Sequence, residues 1–225
     1  MAMSIATVIY RTTNIVRSFG RAAHPLRRIW VDPSEVRFCT PPSKYADVVQ
    51  FDANRAHPHA AINRGYFFEW SNLGRTLDGA WDDLSVKFED LLEYKAIADH
   101  IAGRSRWSCS EFAGRAEAWI KMGNASRGSI TAKGFKEGRE RELDLLIESI
   151  SKIGVRPAKR SLSTLATIDD ICVNISRTSE MLFNNRGHHR LAIAKCLTVT
   201  TVPVVILVTH RLCRSDALNF YSEKS

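Results

Sequence analysis

Glu180-Met181-Leu182-Phe183-Asn184-Asn185-Arg186-Gly187-His188-His189-Arg190-Leu191-Ala192-Ile193-Ala194-Lys195 is the stretch on which the fold turns. Its apolar opening, Glu180 to Phe183, reads as a strand, the Asn-Asn-Arg-Gly segment as a turn, and residues 188–197 as a helix. Just upstream, Ile171 to Ile175 reads as a partner strand joined to it by a short turn, a hairpin. Just downstream, Val202 to Val208 is an apolar, β-branched run opened by Pro203, which predicts a buried strand.

Further back, Glu137 to Ile153 has Leu143, Leu146, Ile147 and Ile150 at helical spacing, and Gly154 stands where a left-handed C-cap residue belongs. Ser110 is a good N-cap for a helix running to Lys121, with Phe112, Ala116 and Trp119 on one face. Leu84 to Ala102 carries Phe88, Leu91, Leu92, Ala96, Ile97 and Ile101 at the same period and predicts another helix. Arg28 to Pro33 reads as a short strand ending in a turn; residues 40–80 and Gly123 to Gly134 read as irregular. Strands interleaved with helices in this order predict a mixed α/β or α+β domain over residues 28–210, with a long, mainly helical insertion at 40–142.

Composition agrees. Hydrophobic residues make up 44% of the 225 and charged residues 25%, enough apolar surface to offset the ordering entropy of a folded chain. The longest apolar run is far short of the ~20 residues that cross a bilayer. Cys39, Cys109, Cys172, Cys196 and Cys213 are odd in number and widely scattered, which suits free thiols in a reducing, cytoplasmic compartment.

The net charge of +8 is unevenly placed: Arg11, Arg17, Arg21, Arg27 and Arg28 fall within residues 1–31, which hold no acid. Within residues 1–24, positions 5–19 form an amphipathic pattern of Ile5, Val8, Ile9, Thr12, Ile15, Val16 and Phe19, stopped by Gly20. Three uses suit such a helix: packing on the rest of the protein, peripheral contact with the inner face of a membrane, or targeting. The remaining chain is too weakly basic to demand a broad nucleic-acid footprint.

Candidate chemistry gathers at the turn. Gly187 permits a positive φ or a close backbone approach, and the following helix directs its first N–H groups and positive dipole end back at the turn. Arg186, His188, His189 and Arg190 add side-chain donors. This combination suits an anion, usually phosphate; a capped helix with a solvated basic turn has the same residues. His188 and His189 are adjacent and so point ~100° apart on a helix, an arrangement that does not by itself face one metal ion.

Three blocks resemble the superfamily of ParB N-terminal domains and sulfiredoxin. Ile29 to Val36 is similar to its opening strand and turn. Leu146 to Pro157 is similar to its "S-I-x-x-x-G-x-x-x-P" helix end, with Pro157 one place early. Arg186 to Ala194, followed by Val202-Pro203-Val204-Val205, is similar to "D-G-x-H-R-x-x-A" and "I/V-P-V". The blocks lie in order within residues 28–39 and 143–208.

The resemblance implies a ParB/sulfiredoxin-like small mixed sheet with helices. It also implies that Gly187, His188, His189 and Arg190 hold nucleotide phosphates, with Ser149 and Gly154 lining the same pocket. Arg186 stands where the family has Asp. Only 17 residues follow Val208, so a partition protein's helix-turn-helix is not expected. His188 occupies the sulfiredoxin cysteine's slot, so peroxiredoxin repair is not expected either. The expectation is a nucleotide-dependent phosphotransferase, a kinase using ATP or another nucleoside triphosphate with Mg²⁺. Its acceptor would be a hydroxyl of a small-molecule, glycan or lipid-linked compound. The alternative is a ParB-like nuclease or a nucleotide-gated nucleic-acid binder.

For such a transfer, His189 and Arg190 would stabilise the phosphoryl group, Asp82 would orient the acceptor, and Asp78 and Asp83 would assist the metal. Asp82 and Asp83 equally suit capping of the predicted helix that follows, and Glu180 is a further acid. His57-Pro58-His59 offers a weak metal pair, with His100 and His210 elsewhere. Tyr66, Phe67, Phe68 and Trp70 suit a core better than a stacking platform.

Overall fold

Val202–His210 (β7) is the longest strand among the described residues of the computed structural model, and the sheet is built on it. The structure describes residues 28–40, 74–82, 86–123, 131–157, 170–184 and 186–213. The basic segment 1–24, His57, His59, Asp83 and the Tyr66–Trp70 aromatics lie outside these residues.

Eight of the nine residues of β7 are buried, as its continuous run of Val, Ile and Leu requires. On one side β7 pairs in parallel with β5 (Ile171–Ile175), all of whose residues are buried. On the other it takes two partners in succession. β1 (Arg28–Val31) runs antiparallel along its first half, with Ile29 opposite Val204, and β3 (Arg75–Leu77) runs parallel along its last residues, with Leu77 opposite His210. Beyond β5 the sheet continues through β6 (Met181–Phe183), β2 (Phe38–Cys39) and β4 (Val86–Lys87), giving seven strands among the described residues. β5 and β6 form the expected antiparallel hairpin. Pairing of β5 with β7 starts at Val204, so Pro203 costs no bond on that side.

Among the described residues there are four α-helices, two of them opened by capping side chains. α2 (Glu111–Lys121) is capped by the Ser110 side chain, which accepts from the Ala113 N–H at 3.1 Å. α3 (Ala132–Ile153) is capped by Thr131 and ends on Gly154, whose φ of 68° suits glycine alone. α1 spans Leu92–Ile101 and α4 spans His188–Cys196. α4 buries Leu191, Ala192, Ile193 and Ala194 in succession, so it is enclosed on all sides.

The main core lies between the helices and one sheet face. Ile29, Val31, Ile171, Val173, Ile175, Val202 and Val204 meet Phe88, Ile97, Phe112, Leu143, Ile150, Leu191 and Ile193 there. Trp107, fully buried, is 5.8 Å from the Phe112 ring and 5.9 Å from the Phe135 ring. Each such side chain contributes about 1.5–3 kcal/mol by leaving water. A smaller cluster of Val205, Leu207 and Val208, with Leu77 and Trp81, occupies the other face. The protein is therefore a mixed α+β structure, and the helices of the 40–142 segment share one core with the strands that flank it.

Three boundaries differ from the sequence expectation. The helix expected from Leu84 begins at Leu92, because Phe88–Asp90 forms a 3-10 turn and Leu91 is extended. Asp82 therefore caps no helix. The expected irregular stretch 40–80 contains β3, and α3 starts a turn earlier than Glu137 because Thr131 supplies a cap.

Candidate functional site

The chain leaves β6 and crosses back over β5 before α4 begins. The Asn184 N–H donates to the Cys172 carbonyl at 2.8 Å, and the Cys172 N–H donates to the Arg186 carbonyl at 3.2 Å. Buried Asn174 ties this crossing to β2, donating to Asn184 Oδ1 at 2.9 Å and to Thr40 Oγ1 at 2.8 Å. Gly187 is thereby pressed onto the start of β5. It adopts φ 77° and ψ 19°, and a Cβ there would lie 2.7 Å from Ile171 Cα. Both expected reasons for a glycine thus hold at this position.

The ladder of α4 starts with the Leu191 N–H bonding the Gly187 carbonyl at 3.0 Å. The N–H groups of His188, His189 and Arg190 precede it and point back along the axis with the positive dipole end. Gly187 has no side chain with which to cap them, unlike Ser110 and Thr131 at α2 and α3.

The two histidines do not diverge as their adjacency suggested. Both reach the carboxylate of Glu93, the second residue of α1, whose side chain is 3% exposed. His188 Nε2 lies 2.7 Å from Glu93 Oε2, and His189 Nε2 meets Oε1. The rings are 4.0 Å apart at their centroids and tilted by 41°. His188 is the first helical residue after a left-handed glycine, and a carboxylate has one oxygen for each ring.

Arg139 of α3 completes the cluster, its Nη2 lying 2.7 Å from His189 Nε2 and 3.0 Å from Nδ1. Its Nη1 is held by Glu142 at 2.5 Å. Burial lowers the pKa of His189 well below the ordinary 6.5, and His188 and Arg139 push the same way against Glu93, so the ring is neutral near pH 7. A neutral imidazole, a carboxylate and a second imidazole can share a proton, hold a cation, or position a phosphate oxygen.

Other expected site residues lie elsewhere. Asp82 is an anchor: its carboxylate accepts from the Arg177 backbone N–H at 2.7 Å and from its guanidinium at 2.5 and 2.9 Å. Arg177 follows the far end of β5, while Gly187 rests on its first residue, so roughly 13 Å of strand separates them. Asp82 is therefore not brought to His189 and Arg190. Asp78 is exposed near Arg211, 3.5 Å away, at the same far end. Ser149 is exposed and lies about 15 Å along α3 from Arg139. Gly154 is at the end of that helix, and a Cβ on it would meet nothing within 4 Å.

Glu180 pairs with Arg37 at 2.8 Å on the surface. His100 accepts from the Trp107 N–H at 3.1 Å and faces Asp144, and His210 stacks on Trp81 and bonds the Gly79 carbonyl at 2.8 Å. Both are structural.

Glu93 and Arg139 were not singled out from the sequence. Glu93 precedes Ala96 and Ile97 by three and four residues, and Arg139 stands four from both Phe135 and Leu143. A charge set into a buried stripe was the available signal. Searches against protein-family models, curated proteins and solved structures find no match to this chain.

Proposed function

We propose that the protein is a nucleotide-dependent phosphotransferase with a ParB/sulfiredoxin-like fold, and that the Gly187 to Arg190 turn is its phosphate cradle. The observation that carries this reading is the start of α4. A glycine clamped on β5 aims the first N–H groups of a buried helix at a turn bearing Arg186, Arg190 and, from α3, Arg139. The phosphates would lie on these backbone groups and guanidiniums, since both histidine rings are engaged with Glu93. Mg²⁺ would arrive on the nucleotide.

Glu93 and His189 replace Asp82 in this reading as the groups that accept a proton from the acceptor hydroxyl. Among the described residues no helix is long and apolar enough to cross a membrane. A cytoplasmic protein whose residues 5–19 touch a membrane surface, with a small-molecule, glycan or lipid-linked acceptor, remains part of the proposal.

A thermal-shift panel of ATP, ADP, GTP, CTP and UTP with Mg²⁺ tests it on wild type and Arg190→Ala. A nucleotide at ten times its Kd adds about 1.4 kcal/mol of stability. A shift in wild type that Arg190→Ala loses is the expected result. No shift with any nucleotide, or an equal shift in the variant, would remove the cradle.

A further inference from the structure

We propose that Glu93, His188 and His189 form a binding site for a divalent transition-metal ion of the zinc class. The three residues each offer one ligand atom, and these atoms all lie within 4.8 Å of one another. Tetrahedral zinc with bonds of about 2.0–2.2 Å needs its ligand atoms roughly 3.3 Å apart. The separations bracket this length, from 2.7 Å between His188 Nε2 and Glu93 Oε2 to at most 4.8 Å across the set, so binding requires the ligand atoms to readjust around the ion.

The donors are of the right kind. Two imidazole nitrogens and one carboxylate oxygen are a zinc set that leaves a fourth position for water or a phosphate oxygen. Magnesium is a poorer fit, because it prefers oxygen ligands in an octahedron.

The scaffold holds the donors before any ion arrives. Glu93 comes from α1 and the histidines from α4, and the neighbouring Ile97, Leu191 and Ile193 on these helices are fully buried. The side chains themselves are 3%, 13% and 12% exposed, which restricts their rotamers and shields an ion from bulk water. Gly187 fixes where α4 starts, and so where both rings begin. Arg139 is the cation that competes for His189 Nε2. Its other arm already rests on Glu142, so it has a carboxylate to keep when an ion displaces it.

The site shares Glu93 and His189 with the phosphotransferase reading, where an ion would take the place of their proton-accepting role, but it does not rest on that reading, since binding needs only the ion. The test uses the full-length chain, stripped with a chelator and titrated with Zn²⁺ alone against a chromophoric competitor. Co²⁺ absorption then reports the donor set. Wild type should take up one equivalent, and His188→Ala and Glu93→Gln should each weaken it roughly tenfold or more, since even outer-shell losses cost 10–100-fold.

Circular dichroism identifies a variant that fails to fold, and His188→Gln then stands in for it. Absence of zinc binding in wild type would leave the cluster as a buried structural contact and overturn the proposal. Binding unchanged in both variants would place the metal elsewhere, for instance on His57 and His59, and overturn it equally. Zinc bound without any nucleotide shift would sink the phosphotransferase and keep the metal site; the reverse result would do the opposite.

Discussion

Gly187 and Ile171 touch where any other residue at 187 would collide: its Cβ would lie 2.7 Å from Ile171 Cα, 2.9 Å from Cγ1 and 3.0 Å from the backbone nitrogen. Two of these atoms are main chain of a central strand and cannot step aside. Gly187→Ala adds a left-handed penalty of about 1–2 kcal/mol to an overpacking cost of about 1–3 kcal/mol. Gly103, likewise at a positive φ of 68° but with open space around its Cβ, should show only the first. Urea unfolding of both alanine variants tests the contrast. Equal losses would mean that the contact with β5 yields.

Asp82 and Arg177 join the loop after β3 to the turn after β5. Burial pushes the Asp82 carboxyl up, but the Arg177 hydrogen bonds and the nearby His210 outweigh it, and its pKa falls below the ordinary 3.8. A depressed carboxyl stays ionised in the folded state while the unfolded chain takes up protons. Its stabilisation is complete above about pH 4 and fades as pH falls through the lowered value. Asp82→Asn should be less stable at neutral pH and lose less stability on acidification. Denaturant midpoints from about pH 7 down to about pH 2.5 report both; an unchanged acid limb would show that other carboxyls set it.

Glu140 is buried on α3 and accepts from the Ser108 N–H at 2.9 Å and from Arg106 Nε at 2.6 Å. Removing it leaves the Ser108 donor facing the core. Glu140→Ala should cost about 1–3 kcal/mol, and Glu140→Gln, which keeps an acceptor, distinctly less. Thermal unfolding separates them, and matching losses would assign the effect to Arg106 instead.

The cysteines should react in a fixed order. Burial pushes the Cys172 thiol up to about 12 and the Cys39 thiol higher still, whereas Cys109 is exposed. The thiolate is the reactive form. Iodoacetamide near pH 8 should therefore label Cys109 first in the native protein, and Cys39 and Cys172 only after unfolding. Mass spectrometry of the digests gives the order; early labelling of Cys172 would mean that β5 opens readily.

How much of this was legible depended on where each element gets its stability. β5, β6, β7 and α4 could be read because a short apolar run, a glycine turn and a helical stripe are local signals. β2, β3 and β4 are two or three residues long and exist because of their partners, so no period marks them. The start of α1 was obscured because Phe88 continues the apolar spacing through a 3-10 turn. At the site, Gly187 could be read from its junction alone. Glu93 could be read only as a charge within a buried stripe, not as to its partners, which lie 95 and 96 residues away in the chain. Asp82 was legible as a special carboxylate but not as to its partner, because Arg177 lies 95 residues away.

β7 also governs when this protein can fold. Among the described residues, 28–31 and 75–77 find their sheet neighbour only in Val202–His210, and 171–175, already paired with β6, gains its second neighbour there. During synthesis, β1 and β3 therefore wait unpaired for β7, which follows them by more than a hundred residues, and β5 keeps an open edge until it arrives. Such long-range closure slows folding and favours association between unfinished chains. The helices can form meanwhile, but the sheet beneath them is completed in one late step.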